Sequence, residues 1–339
     1  MRTGAGTGRE MAAEVARLFF DRQLSKVEIG GRLGISRFRV ARLIERALAE
    51  DLVRIEFRDI PAVDRELART IEERFELDLC VVAGAGQGDA ATRVARLGGS
   101  VVGELIGRGD VVGIAWGSTL AAVVAEIPAR DDASIEVVQL AGSSIRLNRR
   151  QDPGELARSL ADRLGAGHHP LHGPTFVDDP TLRAALLGQP DLAATVAAFD
   201  RLTLAIVGIG AMPAGDHDAE SSLIRSGVLT ETEVAGLVRR GAVGDLVVHA
   251  FDAAGTFVAA DLAERAIAIP VEQLRRVPRV VAVAAGRAKT AAIRGALVSG
   301  IVRVLVTDTA AAEGILAEPA TVGSPTRARE RAGAPRGRA

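Results

Sequence analysis

From Leu79 onward the chain repeats one pattern, a short apolar run followed by a stretch with helical periodicity. The runs are 79–83 (LCVVA), 110–115 (DVVGIA), 135–140 (IEVVQL), 202–207 (LTLAIV), 246–251 (LVVHAF), 280–285 (VVAVAA) and 302–306 (VRVLV). Between them, 90–107, 118–126, 154–164, 181–187, 230–239, 288–299 and 309–316 carry the helical period. Alternation of this kind predicts an α/β domain with a mostly parallel, Rossmann-like sheet, whose ligands lie beyond the carboxyl ends of the strands. With 339 residues, 48% of them hydrophobic, the chain has room for this domain and a smaller one.

The smaller one precedes it. Residues 25–50 read as two short helices joined at Gly34, and Ser36 is a good cap for the second. Val40, Leu43, Ile44, Ala47 and Leu48 fall on one apolar stripe, so Phe38, Arg39, Arg42 and Arg46 face away from it, with Arg37 near its edge in the first turn. Cations placed there suit phosphates and guanine edges. Met11, Val15, Leu18 and Phe19 make an amphipathic helix ahead of the pair, and LVRIEF at 52–57 alternates like the strand of a wing. The plainer alternative is a helical hairpin with a solvated basic face. Gly30 and Gly31 fit poorly, since each costs roughly 1 kcal/mol against Ala inside a helix.

Charge follows the same division. The first 58 residues hold twelve Arg or Lys against eight Asp or Glu, which leaves the remainder at −5 within a total of −1. The positive charge is thus segregated into the presumed DNA reader, where it can meet phosphates. Lysine occurs only at 26 and 289, and cysteine only at 80, which excludes an intrachain disulfide and a cysteine-based metal site. No apolar run approaches the roughly 20 residues that span a bilayer, and the first ten residues lack an apolar signal core, so a cytoplasmic protein without a membrane partner is expected.

Three strand ends carry candidate chemistry. In DVVGIAWGSTLAAVV a strand runs into Gly117, Ser118 and Thr119 and then a helix, which gathers hydroxyls and backbone N–H groups as a phosphate would need. A capped Gly turn is the structural alternative. In VVAVAAGRAKTAAIRGAL, Lys289 opens a helix, where a cation opposes the helix dipole unless an anion lies nearby. In GAVGDLVVHAFDAAG, Asp252 reads as a turn residue and Asp245 could accept hydrogen bonds from sugar hydroxyls. The run Gly84 to Gly88 is not a GxGxxG fingerprint, and His168, His169 and His172 lack a carboxylate at ligand spacing on one element. Neither a metal nor a cofactor is expected.

These segments together resemble the SorC family of sugar-responsive bacterial transcription regulators. The likeness is carried by KVEIGGRLGISRFRVARLIERALAEDLVRI, GDVVGIAWGSTL, VVQLAGS, ELARSLADRLGA, PTFVDDPTLRAALL, IVGIGAM, SGVLTETEV, GAVGDLVVHAFDAAG and the stretch from VVAVAAGRAKT to GIL, in family order from about Glu10 to about Leu316. The resemblance implies a helix-turn-helix and an effector domain similar to ribose-5-phosphate isomerase and glucosamine-6-phosphate deaminase. It also implies a phosphosugar or a related sugar derivative as ligand, and dimers or tetramers acting on palindromic operators. Carried over residue by residue, the phosphate cradle is Gly117, Ser118 and Thr119, with Gln139, Gly208, Gly210, Asp245 and Lys289 around the rest of the ligand. The segment after Gly210, including Arg225, matches less closely.

The sequence thus divides into a DNA-binding domain at 9–58, a connector helix at 59–77, an effector domain at 78–318 and a disordered tail at 319–339. Ser36, Arg37, Phe38, Arg39, Arg42 and Arg46 are the candidate DNA contacts. A ligand-controlled transcription factor is expected rather than an enzyme. The rival is a sugar-phosphate isomerase or deaminase, for which Asp245 and Lys289 could pose as acid and base but no further carboxylate is evident.

Overall fold

The computed structural model describes residues 4–53, 62–148, 151–214 and 221–317, in two compact units, 1–59 and 60–339. The first holds α1 (Gly4–Phe20), α2 (Lys26–Leu33) and α3 (Arg37–Ala49). Ser25 and Glu28 form a reciprocal capping box at the start of α2, and Gly34, at φ 65°, ends it. Ser36 Oγ accepts from Arg39 N and starts α3 three residues after α2 stops. Val15, Ile29, Val40 and Ile44 form the core of this unit, and a second cluster of Ala12, Ala16 and Ala47 lets α1 and α3 pack closely. A Cβ on Gly30 would lie 2.7 Å from Ile35 O, so glycine permits the close approach of the turn that leads into α3. Nothing in the structure explains Gly31. Leu52 and Val53 pack on the alanine cluster, while 54–57, the rest of the expected wing, lie outside the described residues.

In the second unit the helices are α4 (Arg65–Phe75), α5 (Ala90–Leu105), α6 (Ser118–Glu126), α7 (Pro153–Leu164), α8 (Pro180–Leu187), α9 (Pro190–Ala198), α10 (Ser222–Arg225), α11 (Glu231–Arg239), α12 (Ala260–Ala263), α13 (Val271–Arg276), α14 (Thr290–Val298) and α15 (Thr309–Ala317). The strands are β1 (Leu79–Ala83), β2 (Val111–Ile114), β3 (Glu136–Gln139), β4 (Gly167–His169), β5 (Leu204–Ala211), β6 (Ala242–Leu246), β7 (His249–Asp252), β8 (Arg279–Val283) and β9 (Val304–Asp308). Seven of these described strands pair in parallel in the order β1-β9-β8-β5-β2-β3-β4. Residues of β2, β8 and β9 are almost all buried, as strands covered on both faces must be.

Two expectations change. The single strand expected at 246–251 is a hairpin: β6 runs antiparallel to the end of β5, turns at Val247 and Val248, and returns as β7. Val247 takes φ 61°, unusual for a β-branched residue, and Trp116 Nε1 donates to its carbonyl at 3.0 Å. The helix expected to connect the domains belongs to the second unit, because Ala68 and Ile71 of α4 are buried in its core and Arg74 Nη1 donates to Leu316 O at 3.1 Å. The stretch before α4 is held as well. Asp64 N donates to Val82 O at 2.9 Å and Gly84 N to Ala62 O at 2.7 Å, an antiparallel bridge from Val63 to Ala83 along the outer edge of β1. Cys80 lies inside β1, and burial pushes its thiol up to about 12, so it is an inert core residue. The expected tail lies outside the described residues.

Candidate functional site

Strand order fixes where a ligand can sit. From β2 the chain moves outward through β3 and β4; from β5 it moves the other way through β8 and β9. The crevice between β2 and β5 is therefore the topological switch point, where loops leaving adjacent strands diverge and leave a gap beyond their carboxyl ends. A cavity of about 370 Å³ occupies that gap. Gly117, Ser118, Thr119, Gly208, Gly210, Asp245 and Lys289 all line it. Seven of the eight expected effector residues, scattered over 173 positions of sequence, thus share one wall system.

Gly117 stands at the cap position of α6 with φ 115°, and no side chain caps that helix. Among the described residues no side chain is seen to accept from its first-turn N–H groups, and the positive end of the helix dipole lies at the cavity-lining turn of Gly117 to Thr119. Opposite, Lys289 closes a short 3-10 turn at 287–289 just ahead of α14, and its Nζ donates to Ile209 O at 2.9 Å. The lysine that looked misplaced in a helix start is thus anchored by a strand carbonyl, with Asp245 as a nearby counter-charge.

Asp245 lies on β6 opposite Gly210 of β5 and is 6% exposed. Burial pushes its carboxyl up to about 6, with Ser221 and Lys289 pulling the other way. Ser221 is near enough to favour the ionised form, yet no hydrogen bond of good geometry joins the two. Asp245 Oδ1 and Ser221 Oγ are both buried without a hydrogen-bond partner among the described residues. Asp245 nevertheless lines the cavity, so its carboxyl group can meet a ligand's donor there.

Gln139 is elsewhere. It is buried at the end of β3 and lines a different cavity beside Ser143, Asp152 and His168. Its Nε2 donates to Ala141 O at 2.7 Å, and its Oε1 accepts from Leu171 N at 2.9 Å, so the amide ties β3 to the chain beyond β4. Asp252 is the turn residue it resembled, accepting from Ala254 N and Thr256 N. His169 pairs at 2.7 Å with Glu136, which also takes Arg201. Sequence reading missed Trp116, Val247, Ser222, Asp89 and Thr92 as lining residues, and left Arg225 of α10 insecure; all of them line the switch-point cavity.

In the first unit, Arg37, Phe38, Arg39, Arg42 and Arg46 are all exposed on α3, with Ser36 at its cap. They are not equivalent. Arg46 Nε donates to Glu50 at 2.6 Å, and Glu50 also lies 3.8 Å from Arg9, so Arg46 is held within the unit.

Comparison with known proteins decides the family. Residues 61–317 match the Sugar-bind family, described as "Putative sugar-binding domain". The chain belongs to that family. Among curated relatives, the Sugar-bind chain is 29% identical to the erythritol catabolism regulatory protein EryD of Brucella abortus, over 91% of this chain and 97% of that one. It is 27% identical to the deoxyribonucleoside regulator of Bacillus subtilis, over 88% and 95%. Its fold superposes on the crystal structure of the full-length sorbitol operon regulator SorC from Klebsiella pneumoniae with a TM-score of 0.69, at 24% identity, covering 91% of this chain and 99% of that one. The SorC-type resemblance read from the sequence is borne out, and these relatives are named as regulators.

Proposed function

We propose that this protein is a DNA-binding transcription regulator whose operator affinity is set by a small phosphorylated sugar bound at the switch-point cavity. The observation that carries this reading is the pairing, in one cavity, of the helix start at Gly117 to Thr119 with the buried carboxyl group of Asp245 on the same lining. The helix start suits a phosphate, joined by Lys289 and Arg225 on the cavity wall. Asp245 suits a sugar hydroxyl. The regulator names of the relatives support the DNA half of the proposal, as do the outward arginines of α3. One reading helix covers too few base pairs for selectivity, so a dimer or tetramer on a palindromic operator follows.

The route from ligand to DNA runs through β1 in this reading. Its carboxyl end continues into the loop that delivers Asp89 and Thr92 to the cavity rim, and the same end carries the bridge to residues 62–64, which lead back to the DNA-reading unit. A ligand that shifts the rim therefore shifts the segment at 62–64 held on that same strand end.

The test is a titration of full-length protein on an operator obtained by in vitro selection, against sugar phosphates and their dephosphorylated twins. One phosphosugar should change operator affinity while its free sugar does not, and Lys289→Ala should keep operator binding but lose effector affinity by roughly ten- to a hundredfold. A free sugar or polyol acting as well as its phosphate would remove the phosphate from the proposal. The isomerase reading has one observation in its favour, a carboxyl titrating near 6 beside a lysine, as a general base requires. Turnover of any bound sugar phosphate, followed by NMR, decides for it.

A further inference from the structure

The stripe of α3 that enters the core is Val40, Ile44 and Ala47; Phe38 lies away from it and is 68% exposed. A phenyl ring held in water among arginines serves no folding purpose. Its neighbours do not cover it: Arg37 places its guanidinium 4.9 Å from the ring centroid, which steadies the ring and leaves its outer face open. Arg39 and Arg42 flank it on the exposed surface. The cationic face matches a polyanion, and an apolar ring within it needs an apolar feature on that same partner.

DNA offers one in the major groove. The edges of guanine, cytosine and adenine present only donors and acceptors there, whereas thymine adds a 5-methyl group. Position 38 is in the first turn of α3, and reading helices bring their N-terminal residues to the base edges. We infer that Phe38 reads the methyl group of a thymine in each operator half-site. This rests on the DNA-reading function proposed above.

The experiment uses the full chain and the duplex that wild type enriches from a random library. Each thymine is replaced singly by deoxyuridine, which removes the methyl and keeps the hydrogen-bonding edge. One position per half-site should weaken wild type by roughly fourfold, the worth of one buried methyl group. Phe38→Ala should bind the thymine and uracil duplexes alike, and Phe38→Leu, which keeps an apolar contact, should retain part of the difference. At the sensitive position, 5-iodouracil should photo-crosslink to Phe38 of the wild type, so the assignment does not depend on either variant folding. Indifference of wild type to every deoxyuridine, an undiminished methyl penalty in Phe38→Ala, or a crosslink to another residue overturns the inference. If Phe38→Ala changes sedimentation while methyl discrimination persists, the ring is a protein contact instead. If wild type enriches no duplex at all, the DNA reader itself has failed, and this reading with it.

Discussion

The Oδ1 of Asp245 occupies the space that a Cβ on Gly210 would need. The two residues face each other across the antiparallel step from β5 to β6, and that step exists because the chain turns back at Val247. The carboxyl group of Asp245 is thus seated by the absence of a side chain on the neighbouring strand.

Gly210→Ala should displace Asp245 or push β6 away from β5. Overpacking of this kind costs about 1–3 kcal/mol. The variant should melt lower and lose effector response together, by thermal unfolding and by operator titration. An alanine variant with unchanged melting and response would show that β6 yields at no cost.

The pH dependence at Asp245 has a definite sign. Its carboxyl titrates at about 6 in the folded chain and near the usual 3.9 when unfolded. Its contribution to stability is therefore present below about pH 4 and lost as pH rises through about 6. Asp245→Asn cannot ionise, so its melting temperature relative to wild type should rise between pH 5 and pH 8. A difference that stays constant over that range would place the titration elsewhere. Wild-type effector affinity should weaken below about pH 6, as the Asp245 carboxylate takes up a proton.

Glu136 behaves in the opposite sense. Arg201 and His169 hold its carboxyl down at about 2, with the Arg201 hydrogen bond the largest influence. Stability from this site is present above about pH 4.5 and fades as pH falls toward 2. Urea midpoints for Glu136→Gln should therefore fall less than those of wild type between pH 5 and pH 3. Because the cluster is partly exposed, the effect should be small and reduced by salt.

On α3, Arg39→Ala and Arg42→Ala should each cost about 1–3 kcal/mol and relax one operator position if they hold guanine edges. Arg46→Ala should do less, since Glu50 already holds that side chain. Titrations at several salt concentrations on the selected operator and on random DNA separate base contacts from phosphate contacts.

Asp64→Pro removes the N–H that Asp64 gives to Val82 and loosens the strap on β1. Effector affinity should be nearly unchanged, whereas the shift in operator affinity that the effector causes should shrink. Equal loss of both would mean that the substitution had unfolded the α4 start, where Asp64 also caps the helix.

The parallel strands were legible because buried strands are written as unbroken apolar runs, and the seven runs sit within a few residues of β1, β2, β3, β5, β8, β9 and the hairpin. The hairpin itself was not, since its turn uses two valines in place of Gly, Asn or Asp. Helix α9 was missed because PDLAATVAA lacks a polar face to set its period. Gln139 shows the limit for sites. An amide at a strand end looks the same in sequence whether it meets a ligand or, as here, the backbone of Leu171. Asp245 and Gly210 were readable as separate motif residues, but their mutual exclusion belongs to the register of two strands.

The bridge along β1 also has a bearing on how the effector domain can be handled alone. Strand β1 is the last in its sheet on that side, and the Val63 to Ala83 pairing is what shields its carboxyl end from other chains. An exposed strand edge is a template for pairing with another copy. A fragment begun after Asp64 would uncover Val82 O and Gly84 N, and should self-associate edge to edge. One begun a few residues earlier, with its own guard strand, should remain free of such aggregates.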